Sequence, residues 1–167
     1  MKIVAVAGRL NTGKDTVAEI LAEQGWQRIA FADPLKRLVD RIFGFGQDAL
    51  FGPSANRNRI VTYSDARWCR ICFDAALQLD AIVSMLYPRV VNEKRVGQVK
   101  QALLKTLSAC HAEERAGHFS VRRALQLFGT DFARELNPNV WIEACWRAID
   151  AVRDGAEYDP MRGYRVD

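Results

Sequence analysis

The chain has 167 residues, of which 49% are hydrophobic and 26% are charged, and its formal net charge is +4. This length and composition are typical of one globular domain and exclude a fibrous or low-complexity protein. No apolar run approaches the roughly 20 residues of a membrane span, and the amino-terminal run is too short for a signal peptide. The four cysteines form no framework of the kind found in small secreted domains, so we expect a soluble, reduced, cytoplasmic protein.

The positive charge is mild and does not predict nucleic-acid binding. A partner rich in phosphate would fit it, but so would a solvated surface with a few extra arginines. We therefore expect small molecules as partners, with no nucleic acid and no membrane.

The first elements predicted along the chain are a strand, a helix and a second strand. Residues 2–7 (KIVAVA) are rich in Val and Ile, which is typical of a strand buried on both faces. Apolar residues then recur at helical spacing to about residue 24, and residues 27–32 (QRIAFA) predict a second short strand. Asp33 followed by Pro34 predicts the N-cap and first residue of the next helix, which has a clean apolar face up to Phe43.

The rest of the chain is predicted to be mainly helical. We expect helices over residues 65–86 and 93–114, another after the N-cap Ser120, and a last one from residues 137–138 onwards. Two short strands beside these helices predict an α/β fold in which a short or incomplete parallel sheet is flanked by helices. All 167 residues are expected to form one domain.

The segment GRLNTGKDT, residues 8–16, matches G-x-x-x-x-G-K between the first predicted strand and the first predicted helix. In such a loop the backbone N–H groups and the positive end of the helix dipole face a bound phosphate. The glycines allow close approach, and the lysine reaches the β- and γ-phosphates. The residues predicted to bind ATP are Gly8, Asn11, Thr12, Gly13, Lys14, Asp15 and Thr16.

Asp15 stands where this loop ordinarily has Ser or Thr, whose hydroxyl coordinates Mg²⁺. A carboxylate is also a good oxygen ligand for Mg²⁺, and Thr16 offers a hydroxyl one position later. We therefore predict a metal-dependent site with Asp15 and Thr16 as candidate metal ligands.

Five segments together resemble the bacteriophage-type deoxynucleoside monophosphate kinases. In chain order they are GKDT at 13–16, FADPLK at 31–36, FGPSANRN at 51–58, RRALQLFGTDFAR at 122–134 and NVWIEA at 139–144. The similarity covers residues 2–150, with a break at 59–119 that we interpret as a helical insertion or lid. The resemblance implies a P-loop kinase fold and transfer of the ATP γ-phosphoryl group to a deoxynucleoside 5′-monophosphate with Mg²⁺. It also implies the host cytoplasm if the protein is phage-encoded, and a possible homodimer.

The resemblance assigns catalytic roles to Lys14 and Arg134 and places several residues at the acceptor. The candidates are Asp33, Lys36, Arg57, Gln126, Thr130, Asp131, Arg134 and Trp141. Gln126, Thr130 and Arg134 recur every four residues, which gives a helix one polar edge. The alternatives are a helix cap for Asp33, solvated surface for Lys36, Arg57 and the polar edge, and the core for Trp141.

One departure from the pattern of this family leaves other functions open. Members of the family carry a further core strand after the last helix, and this chain ends at Asp167 without it, so it looks C-terminally shortened. A catalytically inactive ATP-binding remnant or interaction module is therefore one alternative. Another is a different small-molecule P-loop kinase, such as one acting on dephospho-coenzyme A.

Cys69 and Cys72 have C-x-x-C spacing, but a structural zinc site needs four ligands. We interpret them as two residues of one helix that face the core.

Overall fold

The protein is built from helices joined by short loops. The computed structural model describes residues 2–8, 12–88 and 92–155, and the backbone of 157–158 and 165–166. Its α-helices are α1 Lys14–Glu23, α2 Asp33–Phe43, α3 Gln47–Phe51, α4 Asp65–Leu77, α5 Leu79–Leu86, α6 Glu93–Arg115, α7 Val121–Gln126 and α8 Val140–Arg153. A 3₁₀ turn covers Ser54–Asn58, and a π-helical segment, Leu127–Arg134, follows α7 directly.

Side-chain caps fix the starts of three of these helices. Ser64, Asn92 and Ser120 each accept a hydrogen bond from the backbone N–H three residues later, at 3.3, 3.0 and 3.2 Å. Such a cap satisfies one of the N–H groups that a helix start leaves unpaired. The predicted N-cap Ser120 is confirmed. The predicted cap at Asp33 is wrong, because α2 begins at Asp33 itself after Ala32, with no side-chain cap bond.

The core is a set of aromatic rings held between helices. Phe43 is 1% exposed, and its ring centroid lies 5.3–6.5 Å from those of five other aromatic residues. These are Phe45, Tyr63, Trp68, Phe119 and Phe128. The carbonyl of Phe43 accepts a hydrogen bond from Arg67 Nη2 at 2.8 Å, which ties the end of α2 to α4. Helix-to-helix packing around Phe43 therefore replaces the sheet-based core that the sequence predicted.

The predicted parallel sheet is wrong. Residues 2–8 form no strand in the described part of the chain, and Ile3, Val4 and Val6 are 58, 53 and 39% exposed. Residues 27–30 form no strand either, and 31–32 are a turn. The described sheet consists of two-residue strands, β1 Glu157–Tyr158 and β2 Arg165–Val166, which pair antiparallel. Val- and Ile-rich sequence favours extended backbone, but a strand exists only where another strand completes its hydrogen bonds.

The segment 59–119, predicted as a helical insertion or lid, carries α4, α5 and α6. The single helix expected over 65–86 is two helices separated at Gln78, whereas the helix expected over 93–114 is confirmed as α6. Cys69 and Cys72 are exposed, so their predicted place in the core is wrong. No helix in the described ranges is both long and apolar enough to cross a membrane. The role of the segment as a lid stays a prediction.

Candidate functional site

The glycine loop, residues 8–16, of which residues 8 and 12–16 are described, leads into α1. Gly13 has φ +77° and immediately precedes the first residue of α1, Lys14. A φ in this range is costly for residues other than glycine. A Cβ on Gly8 would lie 2.6 Å from the Thr12 hydroxyl oxygen, so a larger residue at this position would displace the Thr12 side chain. Lys14 Nζ lies 3.5 Å from the same oxygen. The predicted ligand Asn11 lies outside the described residues.

Asp15, the predicted metal ligand, is paired with an arginine. Arg28 Nη2 donates to Asp15 Oδ1 at 2.9 Å, and the two side chains are 44 and 84% exposed. An exposed pair of this kind contributes about 0–1 kcal/mol to stability, so the carboxylate can exchange partners easily. Among the described residues, no cluster of three or more His, Cys, Asp or Glu side chains could hold a metal. A nucleotide-bound Mg²⁺ takes most of its ligands from phosphates and water, so Asp15 and Thr16 stay predictions.

Lys36 is influenced by charged residues of two regions, the glycine loop and the 3₁₀ turn. Its Nζ sits 4.6 Å from the centroid of the Phe51 ring, half-buried. Burial lowers the pKa of Lys36, and the nearby cations of Arg57 and Arg28 lower it further, against the opposing effect of Asp33 and Asp15. Lys36 is therefore close enough to interact electrostatically with Asp15 and Arg28 as well as with Arg57.

A cavity of about 560 Å³ collects most of the predicted substrate residues. Three arginines line it, together with polar groups of α7 and the π segment, and we call it the arginine pocket. Its lining includes Arg57, Arg122, Arg134, Gln126, Thr130, Trp141 and Phe31. Arg57 Nη1 donates to the Leu50 carbonyl at 2.9 Å, and Arg122 Nε donates to Asn58 Oδ1 at 2.6 Å. These hydrogen bonds position two guanidinium groups of the lining, each of which carries several further N–H donors.

The π segment and α8 form one wall of the arginine pocket. Trp141 is 7% exposed, and its indole Nε1 donates to the Gly129 carbonyl at 3.2 Å. A Cβ on Gly129 would come within 2.7 Å of Leu35 Cδ2, so glycine allows the π segment to approach α2 closely. π-Helical turns occur frequently at functional sites. This wide turn places Gln126, Thr130 and Arg134 on the same cavity.

The arginine pocket brings together five predicted substrate residues and leaves three outside its lining. Arg57, Gln126, Thr130, Arg134 and Trp141 are inside; Asp33, Lys36 and Asp131 are not among the lining residues. Phe31 and Arg122 also line the arginine pocket, and Arg28 pairs with Asp15, but none of these three was among the predicted site residues. The motifs FADPLK and RRALQLFGTDFAR contained the first two, but no periodicity distinguished them.

A glycine loop at a helix start, with an arginine-lined cavity close by, is typical of proteins that bind phosphorylated ligands. A model of the deoxynucleotide monophosphate kinase family matches residues 2–159. The chain therefore belongs to the deoxynucleotide monophosphate kinase family, and its expected resemblance to these kinases is confirmed. Comparisons with curated proteins and with solved structures found no match.

Proposed function

We propose that this protein transfers the γ-phosphoryl group of ATP to the 5′-phosphate of a deoxynucleoside monophosphate. The arginine pocket is the acceptor site in this proposal, and the glycine loop is the donor site. The observation that supports it most is that Arg57, Arg122 and Arg134 converge on one cavity that also has an aromatic wall. Phosphoryl transfer depends on positioning and on cations around spreading negative charge, and this chain supplies both.

In the arginine pocket the guanidinium groups hold the acceptor phosphate through paired N–H donors. Gln126 and Thr130 offer hydrogen bonds to the edge of a base. Trp141 is fixed by its bond to Gly129, so it shapes the wall. Phe31 is 58% exposed and offers a ring on which a base can stack.

At the donor site the left-handed backbone at Gly13, directly before the start of α1, suits a phosphate chain. Lys14 neutralises the transferred group, and Thr16 orients it through its hydroxyl. When bound, ATP with Mg²⁺ supplies the phosphoryl group and part of the neutralising charge. Arg28 holds the Asp15 carboxylate, and Lys36 adds a cation between the two sites. No strong general base is required, because the acceptor phosphate is already an anion.

The test is ADP formation by this chain from ATP and Mg²⁺ with each of the four deoxynucleoside monophosphates. We expect turnover with at least one of them and none with dephospho-coenzyme A. ATP binding without turnover on any acceptor would contradict the proposed transfer and favour the inactive remnant. Turnover with dephospho-coenzyme A alone would contradict the nucleotide acceptor.

Replacing Arg134 by lysine should impair the acceptor site specifically. Lysine keeps the charge but loses the planar pair of donors, so kcat/KM for the nucleotide should fall by about 10- to 100-fold. The KM for ATP should change by less than about twofold. Arg70→Lys is the matched control, because Arg70 lies on α4 and pairs with Asp74. Equal kinetics for both variants would remove Arg134 from the acceptor site.

A further inference from the structure

Two arginines of the arginine pocket come from segments that are far apart in the chain. Arg57 belongs to the 3₁₀ turn and Arg122 to α7. Arg122 Nε donates to Asn58 Oδ1 at 2.6 Å, across 64 residues of sequence. Asn58 is therefore the chain neighbour of one arginine and the hydrogen-bond partner of the other. Since Asn58 is not among the residues that line the cavity, we expect it to act on a ligand through Arg122.

Asn58 is itself held by the backbone that follows it. The backbone N–H of Val61 donates to the Phe119 carbonyl, in the segment between α6 and α7, at 2.8 Å. The backbone N–H of Tyr63 donates to Glu114 Oε1 on α6 at 3.1 Å. The connection from the 3₁₀ turn to α4 is thus anchored at two points just after Asn58. An acceptor oxygen on anchored backbone can orient a long side chain, whereas one on a free loop would move with that side chain.

The bond to Asn58 determines which N–H groups of Arg122 are left for a ligand. A guanidinium group has five N–H donors in a rigid planar arrangement. Asn58 occupies the Nε donor, and Arg122 makes no other hydrogen bond in the described part of the chain. The terminal Nη1 and Nη2 groups, which donate in parallel, are therefore available, and a phosphate binds bidentately to such a pair.

Holding Arg122 in advance should raise the affinity of the arginine pocket for an anion. An arginine side chain loses considerable rotamer freedom when it is immobilised on a ligand. If the protein already restricts the side chain, part of this entropy is lost on folding, and binding becomes more favourable. Arg57 is half-buried, but Arg122 is exposed, so packing restricts Arg122 less. The hydrogen bond to Asn58 is then the contact that holds its guanidinium group.

We propose that Asn58 is a positioning residue of the acceptor site. It orients Arg122 so that the terminal N–H pair, together with Arg57, meets the acceptor phosphate. This inference rests on the proposed function, because it takes the arginine pocket to be the acceptor site. Loss of the bond should weaken binding of the acceptor and leave the rate at saturation nearly unchanged, since Asn58 has no part in the transfer itself.

A double-mutant cycle in the full chain tests this role. Isothermal titration calorimetry without ATP gives the Kd for each of the four deoxynucleoside monophosphates, titrated to about 10 mM so that even a millimolar site is filled. Asn58→Ala should raise the Kd by about 5- to 20-fold and Arg122→Met by about 10- to 100-fold. The double variant should match Arg122→Met within about twofold, because Asn58 acts through Arg122. In steady-state kinetics Asn58→Ala should raise the KM for the nucleotide and change kcat by less than about twofold.

Asn56→Ala is the matched control, because Asn56 lies on the same turn and donates to the Asp48 carbonyl at 3.4 Å. It should leave the Kd within about twofold of the wild-type value. Equal losses in the two asparagine variants would overturn the role of Asn58, since the turn as a whole would then be responsible. An unchanged Kd in Asn58→Ala, or additive losses in the double variant, would overturn this role and leave the acceptor site standing. No binding of any deoxynucleoside monophosphate to the wild-type chain would overturn the acceptor site, and the role of Asn58 with it.

Discussion

Replacing Lys14 by methionine should lower kcat/KM for ATP by about 100- to 1000-fold. The substitution keeps the length and apolar stem of the side chain but removes the cation at the start of α1. Removing one preorganised partner of a developing anion typically costs about 2.7–4 kcal/mol in the transition state. Steady-state ADP production, with ATP varied at saturating acceptor, measures the loss. The acceptor should still bind, because Lys14 does not line the arginine pocket.

Lys100→Met is the matched control for Lys14→Met, since Lys100 is exposed on α6. It should leave the kinetic constants within about twofold. Asp15→Asn adds a second comparison at the same loop. If Asp15 serves a metal, this variant should raise the Mg²⁺ concentration needed for half-maximal rate, whereas Lys14→Met should not. Unchanged ATP affinity and turnover in Lys14→Met would contradict the phosphate role of the whole glycine loop.

Helices were the part of the fold that the sequence predicted well, because their signals are local. The apolar spacing before Phe43 predicted the face of α2, and the structure buries Leu38, Val39, Ile42 and Phe43 on that helix. Ser120 was recognisable as a cap because its side chain acts within one turn. The break at Gln78 between α4 and α5 has no glycine or proline to mark it.

The sheet could not be predicted reliably because strand pairing is not local. Residues 2–7 have the composition of a buried strand, but composition reports only a preference for extended backbone. A partner strand must come from elsewhere in the chain, and the described residues contain no parallel pair. The aromatic rings around Phe43 instead bury apolar surface between helices.

The arginine pocket was predicted only in part, because only some of its residues are close to one another in the sequence. Gln126, Thr130 and Arg134 are close in sequence, so their spacing alone placed them on one edge. Arg122 and Arg28 are positioned by Asn58 and Asp15, which lie 64 and 13 residues away in the chain. Such contacts appear only once the loops are folded. A second cavity, lined by the end of α5, the start of α6, residues 136–138 and α8, likewise combines separate segments of the chain and has no motif of its own.

Replacing Phe43 by alanine should destabilise the protein by about 3–5 kcal/mol. Phe43 contacts five aromatic rings and is 1% exposed, so truncation leaves a cavity that rigid neighbours cannot fill. Small domains have a total stability of about 5–15 kcal/mol, so this change is a large part of it. Urea unfolding followed by circular dichroism gives the free energy of unfolding. Phe43→Leu, which keeps most of the volume, should cost about 1 kcal/mol and stays measurable if the alanine variant does not fold.

Val4→Ala distinguishes the helical core of the structure from the parallel sheet that the sequence predicted, because Val4 is exposed in the first arrangement and would be buried in the second. Val4 is 53% exposed in the structure, so its truncation should change the free energy of unfolding by less than about 0.5 kcal/mol. In a parallel sheet covered on both faces, the same side chain would be buried and its truncation would cost about 1–3 kcal/mol. A large effect at Val4 with a small effect at Phe43 would therefore contradict the helical core. A small effect at Val4 with a large effect at Phe43 would show that the stability resides in the helices that frame the arginine pocket.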